Sequence, residues 1–389
     1  MSDFNPPARL RGVRKSAIRQ LFDRARPGSI NLGLGEPDLP TSDVIRRAAV
    51  RVIEEEQNGY TTHAGLLSLR ELVAADYESL KSTTDGVIIT AGSQEALYLA
   101  LMVLVDEGDD VLIPNPGFVA YPTIVRMAGG RAVDYRMPAS GGFGFDADEF
   151  RRAISTRTKV VVCISPSNPT GRALSSDDLA AMAAALDGTG VYVISDEIYR
   201  DLYYTDARPP SISDFYPRTL VISGLSKSMS MTGWRLGWMC GVEDVVRSAL
   251  VLHGYVTTCA STISQKAALA AWTDEAAAAR HSARQIFRAR RDHLMRLFDE
   301  HFGVRAVVPE GAFYAMLPIG NFGTSMNVAE AALERGVITV PGSAFGSESE
   351  GFLRVSFCAE EEVLSEGVRL LREALKTLSD EGRGIKDEG

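Results

Sequence analysis

Short β-branched runs that alternate with helical stretches restrict the fold of this 389-residue chain more than any other feature. Several such runs are typical of buried strands: 87–90, 111–113, 159–164, 191–195 and 219–222. Between them, helical patterns cover 94–105 and 177–186. Strands and helices in this alternation predict a mostly parallel sheet with helices on both faces. We therefore expect a three-layer α/β domain over residues 44–272.

The last third of the chain has a different pattern. Residues 273–302 are rich in Ala, Arg and Glu and contain neither Gly nor Pro, which predicts one long helix. Shorter candidate elements follow it: strands at 312–317, 337–340 and 353–357, and a helix at 363–378. We expect a smaller α+β domain that combines residues 1–43 with 273–389 and is joined to the first domain through the long helix.

Composition and charge exclude several classes of protein. Lys and Arg number 41 against 50 Asp and Glu, and the resulting net charge of −9 argues against nucleic acid or an anionic membrane as a partner. No apolar run approaches the ~20 residues of a membrane span, and the N-terminal residues lack the layout of a signal peptide. The 4 cysteines are too few for a disulfide scaffold and none has CxxC spacing. We expect a cytoplasmic enzyme without a metal site.

The most informative segment runs from Ser223 to Trp238, directly after a predicted strand. It places Lys227 among hydroxyls and glycines, with Arg235 eight residues further on. Desolvation of a lysine in such surroundings favours the neutral amine that Schiff-base chemistry requires. Arg235 could hold a phosphate. The alternative interpretation is a glycine-rich turn with a solvated lysine.

Polar residues also follow three other predicted strands. Gly92 allows a tight turn before Ser93, which opens a helix whose N-terminus suits a phosphate. Asp196 and Tyr199 follow the strand at 191–195, and Asn168 lies in the loop after 159–164. Taken singly, each fits a structural role, such as a helix cap, a core tyrosine or a loop asparagine. Together they lie at the sheet edge where α/β proteins bind ligands.

An ordered series of motifs continues this set along nearly the whole chain. The motifs are NLGLGEPD at 31–38, GYTTHAG at 59–65, AGSQEA at 91–96, NPGFVAYP at 115–122, SPSNPTG at 165–171, SDEIY at 195–199, SK…TGWRLGW at 226–238, PEGAFY at 309–314 and VPG…LRVS at 340–356. In this order they resemble the fold-type I pyridoxal-5′-phosphate (PLP) enzymes of the class I/II aminotransferase family, of the aspartate/aromatic aminotransferase kind. The resemblance implies that fold, and PLP as cofactor.

The resemblance also implies a role for the residues that would surround the cofactor ring. Lys227 corresponds to the lysine that forms the Schiff base and later moves a proton between the substrate Cα and the cofactor. Asp196 corresponds to the partner of the pyridine nitrogen, which keeps the ring able to accept electrons. Asn168 and Tyr199 match the donors to the 3′ oxygen, and Phe118 matches the aromatic residue that stacks on the ring.

Further matches concern the phosphate, the substrate and a second subunit. The residues matched to phosphate contacts are Gly92, Ser93, Gln94, Ser226 and Arg235. Arg354 matches the arginine that binds the substrate α-carboxylate, with Gly35 and Asn168 beside it. A surface ion pair is the alternative for Arg354, although its apolar strand disfavours that alternative. Tyr60 matches a tyrosine that reaches the phosphate in the neighbouring subunit, which implies a homodimer.

The implied function is transfer of an amino group from an α-amino acid to a 2-oxo acid, with ping-pong kinetics. A PLP-dependent C–S β-lyase, or another specialised PLP enzyme of the same fold, stays open as an alternative, because it would use the same lysine and aspartate. A ligand-sensing regulator is disfavoured, since no room exists for a DNA-binding module before Tyr60. Arg11, Arg14 and Arg19 are better explained as a solvated basic helix, so recognition of a side-chain carboxylate stays open.

Overall fold

The computed structural model describes residues 7, 10–11, 13, 15–55, 57–320 and 322–384. Parts of the predicted small domain, namely most of residues 1–14 together with 321 and 385–389, therefore lie outside the described residues. Within the described ranges, no helix is both long enough and apolar enough to cross a membrane.

Strands and helices alternate along most of the described chain. The strands are β1 (Ile30–Asn31), β2 (Val87–Thr90), β3 (Asp110–Asn115), β4 (Arg131–Arg136), β5 (Thr158–Ile164), β6 (Tyr192–Asp196), β7 (Thr219–Gly224), β8 (Gly237–Gly241), β9 (Tyr314–Pro318), β10 (Val337–Ile338), β11 (Val340–Pro341) and β12 (Phe352–Ser356). The helices are α1 (Ala17–Arg24), α2 (Asp43–Glu55), α3 (Leu67–Asp76), α4 (Ser93–Leu104), α5 (Tyr121–Met127), α6 (Ala147–Ala153), α7 (Ser176–Leu186), α8 (Glu243–Val256), α9 (Thr262–Ala268), α10 (Asp274–Phe302), α11 (Ser325–Glu334) and α12 (Glu361–Gly384).

The largest sheet has seven strands in the order β2-β8-β7-β6-β5-β3-β4. Only β8 runs antiparallel to its two neighbours, so the prediction of a mostly parallel sheet is confirmed. Strands β4 and β8 were missing from the sequence prediction. The reason for β4 is its place at the sheet edge, where most of its side chains stay partly exposed. Strand β8 begins and ends with glycine, a residue that β-strands disfavour.

Alternate residues along the central strands pack on opposite faces of this sheet. In β5, Val160 and Val162 join the apolar cluster formed with α4, α5 and α8. Val161 and Cys163 point the other way and pack with α6 and α7. Both faces are therefore dry, as parallel sheets require, and each buried aliphatic side chain contributes about 1.5–3 kcal/mol to stability. The predicted three-layer α/β architecture is confirmed.

A second, antiparallel sheet forms in the last third of the chain, in the order β11-β12-β9. The predicted long helix is α10, where Thr273 accepts a hydrogen bond from the Ala276 N–H and Gly303 ends the helix at a φ of 64°. The single strand predicted at 337–340 is wrong, because β10 pairs with β1 while β11 pairs with β12. The β1–β10 pairing supports the proposed union of the two chain ends in one domain, whose limits stay a prediction.

Residues 31–38 are held against the body of the protein by two sets of hydrogen bonds. Arg290 of α10 donates to both carboxylate oxygens of Asp38, at 2.7 and 2.9 Å, and to the carbonyl of Cys358 at 2.7 Å. The Asn31 side chain accepts from the N–H groups of Gly33 and Leu34. These bonds fix the backbone of 33–35 beside the carboxyl ends of the large sheet.

Candidate active site

A cavity of about 430 Å³ lies at the carboxyl ends of β5, β6 and β7. Short loops after these strands bring polar side chains into it, and the start of α4 closes one side. The predicted site residues that line it are Gly35, Ser93, Gln94, Phe118, Asn168, Asp196, Tyr199, Ser226, Lys227, Arg235 and Arg354. Residues far apart in sequence thus meet in one place, as expected where the carboxyl ends of neighbouring parallel strands form one edge of a sheet.

Two glycines shape the end of the cavity next to α4. Gly92 has a φ of 91°, and a Cβ atom there would lie 2.6 Å from an Nη atom of Arg235. A Cβ atom on Gly237 would lie 2.5 Å from the backbone nitrogen of Ser93. Only glycine therefore allows the β8 backbone and the Arg235 guanidinium to approach the first turn of α4. This end combines a helix N-terminus with a guanidinium.

Tyr60 is the predicted site residue that the structure leaves apart from the others. Its side chain is 88% exposed and does not line the cavity. Its segment packs beside the end of α8, because a Cβ atom on Gly254 would lie 3.0 Å from the His63 ring, and beside the start of α9, where Thr262 donates to the Gly59 carbonyl. Within one chain Tyr60 has no part in this site.

Lys227 projects into the cavity from the turn that follows β7. Its Nζ donates to the Gly35 carbonyl at 2.7 Å, which joins the lysine to the 33–35 backbone. Burial is the largest influence on the amine and lowers the pKa of Lys227, with Arg354 and Arg235 acting in the same direction. A lowered pKa increases the neutral, nucleophilic fraction of the amine near neutral pH.

Asp196 ends β6 and is buried. It accepts hydrogen bonds from the Tyr121 hydroxyl at 2.9 Å and from the Ile198 N–H at 3.3 Å, both of which are neutral donors. Burial raises the pKa of Asp196 to about 6, although the positive charge of Lys227 lowers it in part. A cation placed beside this carboxylate would favour its ionised form. Tyr121 lies in the NPGFVAYP motif at 115–122, but its hydrogen bond to Asp196 was not predicted from sequence.

Arg354 of β12 is 3% exposed, so the alternative of a surface ion pair is wrong. Its guanidinium donates to the Asn168 side-chain oxygen at 2.8 Å and to the Gly33 carbonyl, and lies between the rings of Tyr314 and Phe345. The buried Nε has no hydrogen-bond partner within the described residues. The partners of this charge are neutral, and an incoming carboxylate would supply the missing negative charge.

Helix α1 supplies residues that the sequence reading did not assign to the site. Ile18, Arg19 and Phe22 line the outer part of the cavity together with Leu34. The spacing of Ile18 and Phe22 places them on one face of α1, a weak signal in so short a helix. Arg19 was interpreted as part of a solvated helix, whereas the structure places it at the cavity. Arg11 does not line it, and Arg14 lies outside the described residues.

Comparison with known proteins agrees with this geometry. The family model for aminotransferase class I and II matches residues 27–371. A probable aspartate aminotransferase of Methanocaldococcus jannaschii is 32% identical over 375 residues, covering 94% of this chain and 98% of that protein.

Solved structures give the same result. Aspartate aminotransferase from Thermus thermophilus with maleate has a TM-score of 0.91 at 33% identity, covering 95% of this chain and 100% of that chain. An aromatic aminotransferase from Pyrococcus horikoshii has a TM-score of 0.86 at 32% identity, covering 92% and 99%. The predicted transaminase activity is confirmed by these comparisons. The chain belongs to the class I and II aminotransferase family.

Proposed function

We propose that the cavity binds PLP and that Lys227, Asp196 and Arg354 carry out amino transfer between an α-amino acid and a 2-oxo acid. The observation that carries this proposal is their meeting in one cavity, each with neutral hydrogen-bond partners. Bound charges of opposite sign would compensate each buried group. A phosphorylated aldehyde with a basic ring nitrogen and a substrate carboxylate together supply those charges.

The end of the cavity at α4 fits a phosphate group. Backbone N–H groups at Ser93 and Gln94 belong to the first turn of a 12-residue helix, where donors are free of intrahelical partners. The Arg235 guanidinium lies against Gly92, and Ser226 lines the same cavity. We assign these residues to the phosphate, and Asn168, Tyr199 and Phe118 to the cofactor ring.

The remaining roles follow from the charges of the chain's own groups. PLP, when bound, supplies an electron sink that stabilises negative charge at the substrate Cα. Asp196 would hold a proton on the ring nitrogen, and that cation in turn would lower the pKa of Asp196 below about 6. Lys227, with its lowered pKa, would take the proton from Cα and return it.

For the substrate, we assign the α-carboxylate to Arg354, beside Gly35 and Asn168. The side chain would then lie toward α1, against Ile18 and Phe22. These apolar walls suit large side chains, while Arg19 places a cation at the same end of the cavity. Similar proteins are named for aromatic amino acids, which agrees with the apolar walls, and for aspartate, which agrees with the cation of Arg19.

An exposed apolar surface supports a homodimer. Tyr255 is 90% exposed at the end of α8, with Val251 and Val256 also exposed, and the Tyr60 segment packs beside this helix end. Isolated soluble chains rarely expose such large apolar groups together. We propose that a second copy covers this surface and that Tyr60 reaches the partner's phosphate site. A cytoplasmic location stays a prediction.

Replacing Lys227 with alanine tests the central assignment. The Lys227→Ala variant is expected to lose amino transfer by at least about 10³-fold, because among the described residues Lys227 is the one lysine that lines the cavity and could act as nucleophile and base. Borohydride treatment followed by mass spectrometry should attach PLP to the wild-type chain at Lys227 only. Lys159→Ala, an exposed lysine at the start of β5, is the control and should behave as wild type. Attachment of PLP to another lysine would contradict the assignment.

Arg354→Leu tests the carboxylate site separately from the cofactor site. Loss of a buried, charge-assisted contact of about 1.5–3 kcal/mol should raise KM for amino and oxo acids about 10- to 100-fold. The Kd for PLP, measured by fluorescence titration of apoprotein, should change less than about threefold, since no phosphate contact is lost. A larger effect on PLP than on the substrate would place the carboxylate elsewhere.

Arg19→Ala tests recognition of a side-chain carboxylate. Because Arg19 is exposed, kcat/KM for aspartate should fall only about three- to tenfold, while kcat/KM for phenylalanine stays the same. The matched control is Arg24→Ala in the same helix, which removes an ion pair with Glu330 outside the cavity. Equal losses for both substrates would show that Arg19 acts on the helix rather than on the substrate.

Subunit complementation tests the shared site. Tyr60→Ala should bind PLP weakly, and Lys227→Ala should be inactive. Coexpressed chains should regain roughly a quarter of wild-type activity at limiting PLP, because hybrid dimers contain one site with both residues intact. Sedimentation equilibrium would confirm that each variant forms dimers. If the coexpressed chains form dimers but regain no activity, the proposal that Tyr60 serves the partner's site is wrong.

A further inference from the structure

We propose that Tyr314 is a positioning residue that directs the Tyr199 hydroxyl toward the cofactor and supports Arg354 beneath the substrate carboxylate. This inference rests on the proposed function. It gives a role to a side chain that lies between Tyr199 and Arg354 and that was not predicted from its place in the sequence.

The first contact joins two buried hydroxyls. The Tyr314 and Tyr199 hydroxyl oxygens are 2.9 Å apart, and both rings line the cavity. Burial raises the pKa of Tyr314 to about 12 and the pKa of Tyr199 well above its usual range, so both hydroxyls keep their protons. One must donate to the other. Donation by Tyr314 leaves the Tyr199 proton free for the oxygen of a bound ring.

The charge of Arg354 favours that direction. The Arg354 guanidinium carbon lies 4.2 Å from the centre of the Tyr314 ring, and after burial it is the largest influence on the pKa of Tyr314, which it lowers. Arg354 also lowers the pKa of Tyr199, but there Tyr314 itself raises the pKa more strongly. The more acidic of two hydroxyls is the better donor. The same contact holds the guanidinium against an aromatic ring, and the centre of the Phe345 ring lies 4.7 Å from the guanidinium carbon.

Backbone packing holds Tyr314 in place. The residue opens β9 and pairs with Ser356 of β12, two positions from Arg354. A Cβ atom on Gly35 would lie 1.6 Å from the Tyr314 hydroxyl, so the 33–35 backbone rests directly on that oxygen. The carbonyl of Gly35 is the acceptor for Lys227. Tyr314 therefore contacts Tyr199, Arg354 and the backbone that accepts from Lys227.

Tyr314→Phe removes the hydroxyl and keeps the ring. Hydrogen bonding to a bound ring oxygen favours its deprotonated form, so the pH midpoint of the visible absorbance of bound PLP should move to higher pH. We expect kcat to fall about three- to tenfold. The Kd for 3-phenylpropionate, a carboxylate that cannot react, should stay within about twofold by calorimetry, because the ring still supports Arg354.

Other variants separate the two contacts. Tyr314→Leu should shift the midpoint and also raise the Kd for 3-phenylpropionate about 3- to 30-fold, because the aromatic ring beside Arg354 is lost. Phe345→Leu should raise the Kd for 3-phenylpropionate without moving the pH midpoint of the PLP absorbance. In a Tyr199→Phe background, Tyr314→Phe should cause no further shift, as expected when one residue acts through the other. Tyr204→Phe removes another buried hydroxyl, which donates to the Ala312 carbonyl, and should leave both readings unchanged.

Three results would overturn the role of Tyr314. They are a wild-type midpoint in Tyr314→Phe, the same shift in Tyr204→Phe, or an additive shift in the double variant. The wild-type protein separates this failure from a failure of the proposed function. If wild-type protein shows no PLP absorbance, the proposed function is wrong and the role of Tyr314 falls with it. If the wild-type protein shows normal PLP absorbance and the Tyr314→Phe midpoint is unshifted, only the proposed role of Tyr314 is contradicted.

Discussion

Burial of charged groups whose hydrogen-bond partners are all neutral is the constraint on which this structure depends. Lys227, Asp196 and Arg354 share a cavity, yet the hydrogen bonds that hold them come from neutral hydroxyl, amide and carbonyl groups. Removing an uncompensated charge from water costs several kcal/mol. The surrounding fold supplies that stability, and its dry three-layer core is large enough to do so. In the proposed function, a zwitterionic substrate and a phosphorylated cofactor would supply the charges that these groups lack.

Residues that follow parallel strands could be predicted from sequence because their placement depends on local pattern alone. Asp196 ends β6, Asn168 and Lys227 follow β5 and β7, and the carboxyl ends of parallel neighbours meet at one edge. Strand β8 could not be found in this way, since its glycines hide the β pattern. At least one of these glycines is required by packing, because a side chain on Gly237 would clash with the first turn of α4.

Contacts between distant segments could not be predicted from spacing. Tyr121 reaches Asp196 across 75 residues, and Tyr199 meets Tyr314 across 115. Each tyrosine alone reads as an ordinary core residue, because its hydroxyl partner is defined only by tertiary packing. Arg19 is exposed, as a solvated helix predicts, but its place at the cavity could not be predicted for a related reason. A short basic helix predicts a solvated face, and only docking of α1 over the cavity gives that face another neighbour.

The two parts of the site have different structural origins. The large sheet and α4 position the groups assigned to the cofactor, whereas residues 18–35 and β12 position those assigned to the substrate. A change in α1 can therefore alter side-chain preference without moving Lys227 or Asp196, which suits a family whose members are named for different amino acids. Arg354 and Tyr199 belong to different parts, and the Tyr314 hydroxyl and ring bridge them. Under the proposed assignments, movement of β12 would change both the position of Arg354 and the environment of Tyr199, and would thereby couple substrate binding to the cofactor ring.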